Sequence, residues 1–271
     1  MELLGLGLDQ VLLIALAAVW AGAINVVVGS GTLVTFPVLV AVGFPPVTAT
    51  ISNAMGLIAG NITGTWGYRR EIAQVRGTLL RLLPLSILGG ICGAMLLLVL
   101  PESVFERVAP VLIVVALGFV IFQPRLQRWV RAKKAEEPTP SASAAPRVGA
   151  LLAALVLFAG VYGGYFVAAQ GVLLIGILGV FLTATLQQAN AVKNALVLAV
   201  NLIAAVSYLL LAFDRIAWAA VLIVAVGSTI GGFAGAWAGR RLSPTVLRAV
   251  IVVLGVVALV VMLRNLLVGC C

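Results

Sequence analysis

Apolar residues fill most of the chain in runs of about 20, separated by short polar stretches. A run of that length is long enough to cross the hydrocarbon of a bilayer as a helix. The pattern therefore predicts eight long transmembrane segments. They cover residues 8–28, 50–67, 79–99, 104–122, 148–168, 189–212, 216–238 and 244–266.

Two shorter apolar segments, 31–43 and 171–183, follow the first and fifth long ones. A helix of about 13 residues rises only ~20 Å, which is less than the thickness of the hydrocarbon. We therefore expect half-membrane or re-entrant helices. Small or polar residues precede each, Gly29-Ser30-Gly31 in one case and Ala168-Ala169-Gln170-Gly171 in the other.

Parts of the sequence occur twice. The run Gly-Gly-x-x-Gly-Ala begins at Gly89 and again 142 positions later at Gly231, and Asn53 and Asn194 stand 141 positions apart in similar surroundings. Duplicated transporters place their substrate site where the repeats meet. The glycine runs themselves are typical of close helix contacts.

The longest polar stretch, 123–147, is rich in Pro, Ser and charged residues and predicts a flexible linker. It divides the chain into a first transmembrane repeat, 1–122, and a second, 148–271.

Basic loop residues indicate the orientation. If the short segments count as crossings, each half crosses five times and the halves are inverted. The linker then shares one side with Arg69, Arg70, Arg76, Arg81, Arg240, Arg241 and Arg248. If they do not cross, the repeats are parallel and Arg240, Arg241 and Arg248 lie opposite the linker. The positive-inside rule favours the inverted arrangement, with the linker in the cytoplasm and both termini outside.

These patterns predict an all-α polytopic protein of the cell membrane. It has two inverted repeats, each with four long transmembrane helices plus one short or re-entrant helix. The composition agrees, with 63% hydrophobic and 9% charged residues. The net charge of +9 arises in short loops, which favours membrane orientation over nucleic-acid binding.

Catalytic patterns are missing from the sequence. There is no histidine, no paired carboxylate within an apolar segment and no Walker A motif. We therefore expect no enzyme activity, no cofactor and no metal site. Cys92 lies within an apolar segment and is interpreted as a packing residue, whereas the roles of Cys270 and Cys271 stay open.

Lys193 is the one charged residue between Arg147 and Asp214. A lysine inside a membrane costs about 2.5–3.5 kcal/mol when central, so it usually faces a partner or a polar cavity. The alternative is that Lys193 lies near an interface and snorkels to the headgroups. Neighbouring amides favour a site, since Asn190 and Asn194 lie on an adjacent face of the same helix.

A small anion would suit these residues. Helix N-termini favour anions, so the turn of Gly29, Ser30 and Gly31 could offer backbone amides to one. The predicted substrate-binding residues are Lys193, Asn194, Asn53, Gln170, Asn190, Gly29, Ser30 and Gly31.

The order and spacing of many short motifs resemble the TauE/SafE sulfite exporter family over nearly the whole chain. In the first half the motifs are Ala21-Gly-Ala-Ile-Asn25, Gly29-Ser-Gly31-Thr-Leu33, Gly43-Phe-Pro-Pro46, Ala49-Thr-Ile-Ser-Asn53 and Trp66-Gly-Tyr68-Arg-Arg70. In the second they are Gly160-Val-Tyr162-Gly-Gly164-Tyr-Phe166, Ala191-Val-Lys193-Asn194, Asp214-Arg-Ile-Ala-Trp218, Gly231-Gly-Phe-Ala-Gly-Ala236 and Arg240-Arg241-Leu242. The chain differs at 168–171, where many members have a glycine-rich run.

The resemblance implies a permease for sulfite or another sulfur-containing or organic anion, embedded in the lipid bilayer. Export by alternating access is the function we expect. A non-transporting membrane scaffold and a thiol-relay membrane protein are the alternatives. The sequence leaves open the substrate, the direction, the coupling ion and whether the chain forms a homo-oligomer.

Overall fold

The computed structural model describes residues 2–3, 5–136, 149–182 and 184–238, together with 249, 251–257, 259–260 and 262–263. Its helices are α1 (Leu8–Val27), α2 (Thr32–Ala41), α3 (Pro46–Gly67), α4 (Arg69–Gln74), α5 (Arg76–Val99), α6 (Glu102–Glu136), α7 (Ala150–Phe166), α8 (Gln170–Phe181), α9 (Leu186–Leu211) and α10 (Trp218–Ala238). Two strands of two residues each, β1 (Glu2–Leu3) and β2 (Leu6–Gly7), pair ahead of α1. The last described residues are also helical.

The structure confirms an all-α polytopic membrane protein. Within the described residues, five helices are long and apolar enough to cross a bilayer: α1, α5, the first part of α6, α9 and α10. The short helices α2 and α8 lie within the two short segments expected to form them, and they have 10 and 12 residues.

Two details differ from the sequence expectations. Helix α6 continues to Glu136, so the first part of segment 123–147 is helical rather than irregular. The rest of that segment, residues 137–147, lies outside the described part, and the domain boundaries stay a prediction. Cys92 is exposed on the surface of α5, so its interpretation as a packing residue is wrong. The glycines of that helix, rather than the cysteine, face its neighbours.

Glycine contacts fix the helix packing, as the Gly-Gly-x-x-Gly-Ala repeats predicted. A Cβ at Gly231 of α10 would collide with the backbone carbonyl of Val19 in α1, and one at Gly235 would stand 2.7 Å from the Cα of Ala23. A step of four residues toward the C-terminus of α10 thus corresponds to a step of four residues toward the C-terminus of α1. The two helices therefore run in the same direction. Close backbone approach of this kind needs a residue without a side chain.

The same interface recurs between α5 and α7. Gly89 faces Leu157 and Gly93 faces Val161, each so closely that an added Cβ would collide with a carbonyl oxygen. Helices α5 and α7 therefore also run in the same direction. In each pair, one helix comes from before the predicted linker and the other from after it.

Helices α3 and α9 adjoin these pairs and run in opposite directions. Gly60 of α3 packs on Ser228 of α10, whereas Gly90 of α5 packs on Val200 of α9. A hydrogen bond between Gln188 and Gln74 ties the start of α9 to α4, which directly follows α3. The beginning of α9 thus lies beside the end of α3.

Two groups of helices result. We call α1, α3 and α10 the first bundle and α5, α7 and α9 the second bundle, and the helices of one run opposite to those of the other. An ion pair of 3.5 Å between Arg215 and Glu102 links the connections α9–α10 and α5–α6 at one end. Both bundles contain segments from both sides of the predicted linker.

Replacing Gly231 with alanine should destabilise the fold, because the new methyl group meets backbone that cannot yield without separating α1 from α10. Overpacking of this kind typically costs about 1–3 kcal/mol. Gly118→Ala in α6 is the matched control, since a Cβ at that position meets nothing within 4 Å. Thermal unfolding in detergent should show a lower Tm for Gly231→Ala alone. Equal Tm values for the two variants would contradict the described packing.

Candidate functional site

The candidate site lies where two helix breaks meet. The chain breaks between α1 and α2 and again between α7 and α8. A Cβ built on Gly29 would stand 2.7 Å from the Cα of Gly171, and one on Gly171 would stand 2.6 Å from the Cα of Gly29. The two breaks therefore touch backbone to backbone.

Left-handed backbone conformations turn the chain at both breaks. In the first, Gly29 has φ +91°, which glycine adopts without a steric penalty. In the second, Val167 and Ala169 have φ of 65° and 58°, although each carries a side chain. Strain of this kind persists only where the surrounding structure holds it, and it is concentrated at functional sites.

Two helix N-termini point into this region. Helix α2 begins after Gly31 and α8 begins after Ala169, and neither N-cap residue supplies a side-chain hydrogen bond to its helix. The first turn of a helix has N–H groups without intrahelical partners and a partial positive charge. Such an end favours an anion.

Lys193 of α9 reaches the same place. Its side chain is fully buried, at 0% exposure. The Nζ atom donates hydrogen bonds to the carbonyl oxygens of Asn25 (3.1 Å) and Val26 (3.3 Å), at the C-terminal end of α1. The structure thus rejects the alternative in which Lys193 snorkels to the headgroups.

The ammonium of Lys193 lacks an acidic partner in the part of the chain that the structure describes. The described ion pair joins Arg215 to Glu102, and both of these side chains are well exposed. The negative end of the α1 dipole partly offsets the charge of Lys193. Two backbone carbonyls occupy two of its three N–H donors, which leaves one donor for a ligand.

Asn53 of α3 is buried and fully engaged by α2. Its Nδ2 donates to the Thr32 hydroxyl at 3.2 Å, and its Oδ1 accepts a hydrogen bond from the Thr35 hydroxyl. These bonds fasten the short helix α2 to α3. Ser52, next to it, accepts from the backbone N–H of Ala217 at 2.9 Å.

The second break lacks these bonds. The positions that match Thr32, Thr35 and Asn53 are Gln170, Leu173 and Asn194, at offsets of 138, 138 and 141 residues. A leucine cannot replace the Thr35 hydroxyl. Both polar atoms of the fully buried Gln170 side chain and the Nδ2 of Asn194 have no hydrogen-bond partner.

Two further predicted residues also carry unpaired atoms. The buried Ser30 Oγ has no partner, and neither does the Oδ1 of Asn190. Buried polar groups without partners are rare, because each costs about 1–3 kcal/mol. Their concentration here suits a site that a polar ligand completes.

Sequence reasoning missed Asn25, which links four parts of this region. Its side chain accepts from the Gly31 N–H (3.4 Å) and donates to Asn61 of α3, while its backbone carbonyl binds Lys193. The signal available was an amide near the end of an apolar helix, four residues before Gly29. The partner, Asn61, lies 36 residues away in sequence, and no local pattern indicates that pairing.

Gln170 takes the place that Asn25 has in the other break. The position matching Asn25 is Gly163, and a Cβ there would collide with the Gln170 amide. Each break thus holds one amide side chain, which is half-buried and from α1 in the first break and fully buried and from α8 in the second. Glycine at 163 provides the room for it.

Two cavities lie away from the breaks. One of about 320 Å³ adjoins the α2–α3 turn and is lined by Phe44, Pro45, Glu106 and Met262, among others. The other, of about 390 Å³, is an apolar groove between α6, α7 and α8. Neither is lined by Lys193 or the unpaired amides.

Comparison with known proteins gives one family over most of the chain. Residues 14–262 match the model of "Sulfite exporter TauE/SafE". A "Probable membrane transporter protein" of Haemophilus influenzae is 24% identical over 251 residues, which cover 92% of each chain. No solved structure matches the chain significantly.

Two other relatives match over shorter stretches. "Probable membrane transporter protein YfcA" of Escherichia coli K12 is 27% identical over 110 residues, or 40% of each chain. "Probable membrane transporter protein ORF9" of a Sinorhizobium species is 30% identical over 104 residues, which cover 38% of this chain and 40% of the relative. With a family match over residues 14–262 and helices suited to a bilayer, this chain belongs to the sulfite exporter TauE/SafE family and is a multi-pass membrane transporter.

Proposed function

We propose that the protein is a permease for small anions and that its substrate is sulfite or a related sulfur-containing or organic anion. The observation that carries the proposal is the buried ammonium of Lys193, which bonds to the end of α1 beside the first helix break and has no acidic partner among the described residues. A buried charge without a counter-ion is costly. An anion from solution would supply the missing charge.

The neighbouring groups suit an oxyanion. Lys193 would give charge and one N–H, the Asn194 and Gln170 amides would donate hydrogen bonds, and the Ser30 hydroxyl would add another. Hydrogen bonds to a charged acceptor are about twice as strong as neutral ones. The N–H groups of Gly29 and Gly31 already donate to Ile24 and Asn25, so within this turn we assign ligand contact to Ser30 and the shape of the break to the two glycines.

Asn53 and Asn190 take different parts in this proposal. Both amide groups of Asn53 are engaged by threonines of α2, so we assign to Asn53 the task of holding that helix. Asn190 is half-buried one turn before Asn194, where it would line the route by which the anion arrives.

We further propose that the halves 1–122 and 148–271 form inverted repeats in the cell membrane and transport by alternating access. The opposite directions of α3 and α9, and of α1 and α7, support inversion. In this orientation Arg69, Arg70 and the C-terminal end of α6 face the cytoplasm, as the positive-inside rule favours.

The two alternative functions have less support. A scaffold without transport would have polar residues that pair with one another and leave no cavity. Gln170, Asn194 and Asn201 keep buried atoms that are unpaired among the described residues, and neither of the two cavities described above is lined by them. A thiol relay would need neighbouring cysteines, and Cys92 is exposed on α5.

Replacing Lys193 with methionine should abolish most transport, because the site loses its positive charge while a side chain of similar length stays. Loss of a charge-assisted bond of about 1.5–3 kcal/mol predicts a rate lower by roughly 10- to 100-fold at subsaturating anion. Proteoliposomes loaded with labelled sulfite, sulfate or a carboxylate would measure it. Arg107→Gln removes an exposed cation from α6 and serves as the control. Unchanged transport in Lys193→Met would overturn the site assignment.

The matched variants Asn194→Leu and Asn53→Leu should have different effects, although both remove an amide at equivalent positions. Asn194→Leu should raise KM about 2- to 12-fold with little change in Tm, as for the loss of one hydrogen bond of about 0.5–1.5 kcal/mol to a ligand. Asn53→Leu should instead lower Tm, since the Thr32 hydroxyl loses the Asn53 donor and the Thr35 hydroxyl keeps only the Gly31 carbonyl, 3.5 Å away. Initial rates and thermal unfolding of the same preparations separate the two roles. A KM defect without a Tm change in Asn53→Leu would refute the distinction.

A further inference from the structure

Asn61 of α3 presents a free hydrogen-bond donor to the region around Lys193. Its side chain is buried, at 6% exposure. Its Oδ1 accepts from Asn25, whereas its Nδ2 has no partner. An unsatisfied buried amide group costs free energy, so its persistence suggests that something else binds there.

A fixed backbone group sets the orientation of this amide. The Gly31 N–H can only donate, so the atom of the Asn25 side chain that faces it must be Oδ1. The Nδ2 of Asn25 then points to Asn61 and needs an acceptor, which places the Asn61 Oδ1 toward it. The orientations of both amides follow from this chain of bonds.

The unpaired Nδ2 group of Asn61 can therefore act only as a hydrogen-bond donor. Asn25, which holds Asn61, also binds Lys193 through its backbone carbonyl at 3.1 Å. One residue thus connects the free amide and the buried ammonium. A ligand meeting both groups must be an acceptor, and a negatively charged one is favoured.

Among the described residues, the second half of the chain has no equivalent of this oriented amide, although Asn201, beside Leu202, is buried with both amide atoms unpaired. The residues that match Asn25 and Asn61 are Gly163 and Leu202, which cannot form this chain of bonds. The donor is therefore a feature of one side of the site, additional to Gln170 and Asn194 on the other.

We propose that Asn61 is a specificity-determining residue that donates a hydrogen bond from Nδ2 to an oxygen of the transported oxyanion. Asn25 is its positioning residue, which fixes the amide orientation through the Gly31 N–H. The inference rests on the proposed anion transport. It adds a contact from α3, so that the anion is held from the first bundle as well as from α9.

Sulfite uptake into proteoliposomes would test the inference with the variants Asn61→Leu, Asn25→Leu and the double variant. Leucine keeps the branching of asparagine at Cγ without its polar atoms, and it is the residue present at position 202. Asn61→Leu should raise KM about 10-fold, as for loss of a bond to a charged acceptor, with kcat and Tm close to those of the unmodified protein. Thr63→Val is the control, because the Thr63 hydroxyl bonds only to the Gly60 carbonyl of its own helix.

Asn25→Leu should raise KM by a similar factor, and the double variant should be no worse than the single ones, since both remove the same oriented donor. If Asn25→Leu does not fold, the comparison of Asn61→Leu with Thr63→Val still decides. A KM of Asn61→Leu within twofold of the Thr63→Val value, in protein that transports sulfite, would overturn the role of Asn61 and leave anion transport standing. Absence of sulfite, sulfate and carboxylate transport in the unmodified protein would refute the proposed function and this inference with it.

Discussion

Backbone groups exposed inside a membrane must find partners within the protein, and this constraint governs the centre of the molecule. Water is scarce at that depth, so each unpaired N–H or C=O of a broken helix costs several kcal/mol. Here two helices break at the same place, and Gly29 and Gly171 bring the breaks into contact. The ending of α1 is satisfied by Lys193, whereas the beginnings of α2 and α8 lack side-chain caps. The buried charge of Lys193 and the uncapped N-termini of α2 and α8 are therefore both consequences of the two helix breaks.

The two breaks are alike in backbone geometry but differ in their side chains. In the first, threonines, Asn25 and Asn53 satisfy one another and fasten α2. In the second, Leu173 and Gly163 remove two of the corresponding partners, and Gln170 and Asn194 keep unpaired atoms. The side chains of the first break thus mainly satisfy one another, whereas the second break keeps buried polar atoms that are unpaired in the described part of the chain.

The sequence predicted what depends on local pattern. Of the eight long segments predicted from apolar runs, five contain described helices long and apolar enough to cross a bilayer, and both short segments form short helices. Burial in lipid demands such continuous apolar segments. The glycine repeats predicted close packing, and the isolation of Lys193 singled it out. Pairings between distant residues could not be predicted in this way. Asn25 with Asn61, and Lys193 with the end of α1, depend on how the helices pack, and no single segment carries that information. The extension of α6 to Glu136 was missed because polar, charged residues suit a solvated helix as well as a linker.

The glycine interfaces also show that helices that pack together are not neighbours along the chain. Helix α10 packs on α1 and α3, and helix α5 packs on α7 and α9. Each bundle therefore combines helices from before and after the polar segment 123–147. Helices whose backbones are in such close contact do not slide easily past one another. A rocking motion would therefore proceed more easily between the two bundles than between the two halves of the sequence, with the boundary running between α3 and α9. Because each bundle combines helices from both halves of the sequence, either half made alone would lack the partner helix on which its glycines pack.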